Sequence, residues 1–130
     1  MKSLKLKLAV LLLPVMMVIT ACGVQPVMNI NNAQLGSSNK ATMEMITKEI
    51  RSAGIALGWK MKLVKPGHLE GTLYLRKHMA KVDVKFNAKN YSITYKDSEE
   101  LNYDGDSIHK NYNGWIINLR RAIESRLSAL

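Results

Sequence analysis

Asp104, Asp106, Ser107 and His109 stand within six residues of one another and are the first place to look for acid–base chemistry. A hydrolytic triad draws nucleophile, base and orienting carboxylate from separate parts of a fold, and many such serines sit on a strained elbow. Residues this close along one chain rarely present that geometry, and no elbow motif surrounds Ser107, so a hydrolase is not expected. The run Asp104-Gly105-Asp106-Ser107 also has the look of a calcium loop. A hand-type loop needs a bidentate Glu at its twelfth position; counted from Asp104, that position is Trp115. His68, His78 and His109 show no metal-ligand spacing, and a three-histidine zinc site would require their turns to converge. The expectation is three solvated histidines and no cofactor. No glycine-rich phosphate cradle is present.

Cys22 is the only cysteine, and its surroundings are informative. Lys2, Lys5 and Lys7 give a basic start, and Leu8–Ile19 then runs twelve residues without a charge. A membrane-spanning helix needs about 20 apolar residues. The shorter run, interrupted by Pro14, has the length of a signal-peptide apolar region. Ile19-Thr20-Ala21-Cys22 resembles the lipobox of bacterial lipoproteins, with Ile19 where Leu is commoner. The resemblance implies that residues 1–21 are a signal peptide, that the Cys22 sulfur carries a diacylglycerol, and that the new amino group is acylated. Gly23, rather than Asp, after the cysteine implies sorting to the outer membrane, facing the periplasm. One acyl chain holds a protein marginally and two or more hold it firmly, at about 0.8 kcal/mol per buried methylene.

Removing the leader leaves 109 of 130 residues, one domain's worth of chain. Its 16 Lys and Arg face 10 Asp and Glu, a net charge of +6. With no second cysteine, the domain must stand on packing alone in an oxidising compartment.

Residues 22–38 are neutral and amide-rich and read as a lipidated flexible tether, its sixteen residues after Cys22 spanning roughly 20–25 Å. The alternative is that Val27–Ile30 pairs as an extra edge strand. Residues 39–130 read as a single α+β domain. Met43, Ile46, Ile50, Ala53 and Leu57 form a helical stripe, with Ser38 or Asn39 as cap and Gly58 in the left-handed position after the end. From Trp59 the period changes to two, and strands are expected near 59–63, 72–76, 81–86 and 91–95. A last helix runs from about Ser107 to Leu127 on the stripe Tyr112, Ile116, Leu119, Ile123 and Leu127. Short turns make the sheet antiparallel. The fold expected is a four-stranded antiparallel sheet with N- and C-terminal helices packed on one face.

Alternation places Trp59, Met61, Leu63, Leu73, Leu75, Val82, Val84, Phe86, Tyr91, Ile93 and Tyr95 on the covered face. The open face collects Lys60, Lys62, Arg76, Lys81, Lys85 and Lys96 with one carboxylate, Asp83, and with Tyr74 as an aromatic anchor. Such a surface fits an envelope protein, lipopolysaccharide or anionic lipid; equally, lysines there keep a sheet soluble and unpaired. Nucleic acid would meet the same charge, but the address argues against it.

The runs His78–Val84, Tyr91–Ser98, Leu101–Tyr103 and Ile108–Ile116 resemble a family of small proteobacterial lipoproteins. The resemblance spans roughly residues 40–125; it implies an envelope location and brings no activity with it. Its last run supplies His109, Asn111, Tyr112 and Trp115, which would line a small pocket or serve as caps and core anchors. The function expected is a lipid-anchored, non-enzymatic binding module of the envelope, the alternative being a small-ligand or metal-binding periplasmic protein.

Overall fold

The structure, a computed structural model, describes residues 23–130. Residues 1–22, on which the expected signal peptide and lipidation site fall, lie outside the described residues. In chain order the elements are β1 (Val24–Pro26), β2 (Ile30–Gln34), α1 (Met43–Ala56), β3 (Lys60–Lys65), β4 (His68–Leu75), β5 (His78–Phe86), β6 (Asn90–Glu99), β7 (Ser107–His109) and α2 (Lys110–Leu127).

The main sheet has five strands, in the order β2-β6-β5-β4-β3, and not the expected four. A second sheet pairs β1 with β7. All pairings are antiparallel. The extra strands come from the segment read as a tether. Ile30 aligns with Ile93 and Ala33 with Tyr91, so β2 extends the sheet beyond β6. Val24 aligns with His109 and Pro26 with Ser107. Backbone pairing to a distant strand outweighs the weak local strand preference of Asn and Gln.

The α2 stripe packs as its spacing predicts, whereas the α1 stripe is buried only at its centre, with Met43 and Leu57 exposed at the two helix ends. Ile46, Ile50 and Ala53 of α1, and Tyr112, Ile116, Leu119, Ile123 and Leu127 of α2, are fully buried. They join Trp59, Met61, Leu69, Val82, Val84 and Ile93 in one core, so both helices cover the same face of the sheet. Caps differ from expectation. Thr42 Oγ1 accepts from the Met45 amide at 3.2 Å, and His109 Nδ1 accepts from the Asn111 amide at 3.1 Å. α2 therefore begins three residues later than expected, because 107–109 is engaged as β7.

Two side chains placed on the covered face are not covered. Leu63 is 46% exposed and Leu75 47% exposed, Leu63 on edge strand β3 beside a bulge and Leu75 at the β4–β5 turn. β4 starts earlier than the alternation suggests because Gly71 interrupts it. A Cβ there would come within 3.1 Å of Met61 Sδ and 3.3 Å of Trp59 and Val82, so any side chain would require these core neighbours to shift by a few tenths of an ångström.

Strand register gives the molecule two ends. One carries the β4–β5 turn, β1, β7 and the start of α2. The other carries the β3–β4 and β5–β6 turns, where the Phe86 amide donates to the Gly67 carbonyl at 2.9 Å.

Candidate functional site

The open face of the sheet is less basic than the alternation implies. Glu70, absent from that expectation, lies beside Asp83 as its cross-strand partner. Lys96 Nζ donates to Glu70 Oε2 at 2.6 Å and lies 3.7 Å from Asp83 Oδ1. Lys81 Nζ is 3.8 Å from Glu70 Oε1. His68 Nε2 and Asp83 Oδ1 are 2.7 Å apart. The centre of the face is thus a neutralising network whose cations are already partnered. The Lys96 ammonium holds the Glu70 carboxyl below its ordinary value, and Glu70 in turn raises Lys96.

Around this network the remaining candidates separate. Lys60 sits over the Tyr74 ring at 5.2 Å, a cation–π contact at an exposed site. Arg76 adopts φ +54° in the β4–β5 turn, away from the sheet centre. Lys62 and Lys85 have no ion-pair partner among the described residues. The nine residues singled out from sequence therefore do not form one site.

One concave region does collect polar groups, among them two ammonium groups without an ion-pair partner among the described residues, while His68 there is engaged by Asp83. A groove of about 450 Å³ at the Gly67 end is lined by Asn32, Lys65, His68, Lys85, Asn90 and Ser92, among others. Each is placed by a local device. The bulge between Ile30 and Ala33 turns Asn32 to φ +50°, and its amide donates to Ser92 Oγ at 3.0 Å. Asn87 Oδ1 accepts from the amides of Lys89 and Asn90, both at 2.8 Å, fixing the β5–β6 turn. Lys65 enters beside the Pro66-Gly67 turn. Two ammonium groups, a histidine and several amides around one groove suit a carboxylate or phosphate group. Sequence reasoning missed Lys65, Asn32 and Asn90. Lys65 and His68 flanking Pro66-Gly67, on the same side as Lys85, was the available signal.

At the other end, of the two alternatives for His109, Asn111, Tyr112 and Trp115, a small pocket or caps and core anchors, His109 and Tyr112 fit the second. Tyr112 is fully buried, edge-on to Tyr95 with ring centroids 5.7 Å apart. Burial raises its phenol pKa first, and the neighbouring Tyr95 and Tyr103 add to this. His109 caps α2 and stacks near His78, with ring centroids 6.5 Å apart. Trp115 and Asn111 line a shallow groove with Gln25, Met28 and Asn113. Asn113 is the one buried polar side chain among the described residues. It accepts from the Met28 amide and donates to the Pro26 carbonyl, each at 2.9 Å.

His68 stands at the opposite end of the sheet from His78 and His109, so the three histidines do not converge. Among the described residues no group of three or more His, Cys, Asp or Glu is placed to hold a metal. Asp104 Oδ1 accepts from the amides of Asp106 at 2.9 Å and Ser107 at 2.8 Å, a turn that lowers its pKa and occupies it structurally. No helix among the described residues is long and apolar enough to cross a membrane. No protein-family model, curated protein or solved structure matches this chain.

Proposed function

We propose that the chain is a lipid-anchored lipoprotein of the bacterial envelope, held through Cys22 at the outer membrane and facing the periplasm. It acts there as a non-enzymatic binding module. The groove lined by Lys65, His68 and Lys85 takes an anionic group of an envelope partner, either a carboxylate of a protein or a phosphate of lipopolysaccharide. The observation that carries this reading is the contrast within one sheet face. Lys81 and Lys96 are consumed by Glu70 and Asp83, whereas Lys65 and Lys85 converge on a concavity without a carboxylate partner. Asp104, whose carboxylate lies against the Ser107 backbone, is engaged by the amides of Asp106 and Ser107, which supports binding over hydrolysis.

Photo-crosslinking in the native envelope tests the reading. A crosslinker at position 85 should capture a partner that is lost in high salt and lost with Lys65→Glu, while one at Arg121 should not. Equal capture from both positions, or capture indifferent to salt, contradicts it.

The approach of the His78 and His109 rings beside Trp115 favours a second reading, a small-ligand-binding protein.

A further inference from the structure

The segment that follows Cys22 is fastened to the domain from its first residue. The Gly23 carbonyl accepts from the Lys110 amide at 2.8 Å. β1 then pairs with β7, the Val27 amide donates to the Asp106 carbonyl at 3.0 Å, and the Met28 amide donates to Asn113. Adjacent Cα atoms are about 3.8 Å apart, so a lipid carried by Cys22 leaves one peptide unit of slack. The headgroup layer of a leaflet is roughly 5–8 Å deep. One peptide unit does not clear it.

We propose that the end of the molecule around Gly23 is itself a membrane-contact face, fitted to a zwitterionic phosphatidylethanolamine surface. This rests on the lipid-anchor reading and adds an orientation to it. The face comprises Trp115, His78, His109 and Lys110 around the attachment point. Trp115 is half-buried against the core and presents an amphipathic ring of the kind that settles at headgroup level. The charges at this end are mixed: Arg76, Lys77 and Lys110 against the exposed Glu99, Glu100, Asp104 and Asp106. A headgroup carrying both ammonium and phosphate complements both signs, whereas an anionic surface would repel the four carboxylates. β5 runs from His78 at this end to Phe86 at the other, roughly 27 Å away at the rise of a strand. The groove of Lys65, His68 and Lys85 therefore points away from the anchoring leaflet, towards a partner rather than towards the protein's own membrane.

Because lipidation consumes the native thiol, an engineered cysteine is a unique labelling site. Spin labels at Asn111→Cys and Lys89→Cys mark the two ends in the full lipidated protein, reconstituted in phosphatidylethanolamine/phosphatidylcholine vesicles bearing a trace of gadolinium-headgroup lipid. Relaxation at position 111 should be enhanced several-fold over position 89. A Gly/Ser insertion of about twelve residues between Cys22 and Gly23, reaching roughly 17–21 Å, should abolish the difference while leaving the protein on the vesicles. Equal relaxation at the two positions without the insertion, in protein whose mass shows the lipid, overturns the face and leaves the anchor standing. A mass showing no lipid overturns the anchor itself, and the proposal with it.

Discussion

The Met28 amide donates to Asn113 Oδ1 at 2.9 Å, joining residues 85 apart in sequence. With the bond from Asn113 Nδ2 to the Pro26 carbonyl, it pins the N-terminal segment to the second turn of α2. Asn113→Ala would strand a part-buried amide and a part-buried carbonyl, and should destabilise the domain by about 1 kcal/mol. Hydrogen exchange at Met28 and Val27 should rise well before that of the central strands. Unchanged protection there would show that β1 and β7 hold the segment without Asn113.

Glu70 ties stability to acid. Its pKa is lowered in the folded state, chiefly by the hydrogen bond from Lys96. A lowered carboxylate contributes stability above its unfolded pKa and loses it as pH falls through the folded value. The thermal midpoint should therefore fall as the solution is acidified below Glu70's ordinary 4.5, and Glu70→Gln should flatten part of that slope. The pair is near the surface, so the effect should be at most about 1 kcal/mol and smaller in high salt. An unaltered acid slope in the variant would place the titration elsewhere.

Gly67 adopts φ +79°, and a Cβ there would lie 2.8 Å from the Phe86 carbonyl oxygen. Both the left-handed backbone and the contact with backbone atoms resist any side chain. Gly67→Ala should destabilise the domain by about 2 kcal/mol or more. Because the turn frames the groove proposed to take an anion, partner capture from position 85 should weaken as well. A variant with the wild-type midpoint would contradict the tight approach of these two turns.

Tyr112 carries a buried hydroxyl with no hydrogen-bond partner among the described residues. Tyr112→Phe removes that hydroxyl and keeps the ring. It should leave stability unchanged or raise it by about 1 kcal/mol. Binding should be unaffected, since the side chain lines no surface. Loss of partner capture in this variant would restore Tyr112 as a binding residue.

The helices were the most legible part of the sequence. Ile46, Ile50, Ile116 and Leu119 fall on their stripes because a helix face is set by local spacing. β1 and β2 were not legible: Asn31, Asn32 and Gln34 of β2 carry no strand preference and owe their conformation to β6, some sixty residues away, while Val24–Pro26 owes its own to β7, more than eighty residues away. Glu70 was hidden for a related reason: Gly71 breaks the alternation that would have put it on the open face. Lys81 and Lys96 read correctly as open-face cations, yet pairing with Glu70 removes them from the candidate site. Lys65 lies beyond the alternating run that ends at Leu63, and only the closure of β3 on β4 brings it to the same groove as Lys85. Residue type showed which side of the sheet a charge occupies; its neighbours required the register.

We propose that this domain hangs from a lipid at Cys22 and works in the envelope. The intact mass of protein extracted from native membranes tests it most directly. The predicted result is a chain beginning at Cys22 whose mass carries a diacylglycerol and an amide-linked acyl group. A free thiol at Cys22, or a chain retaining residues 1–21, would contradict it.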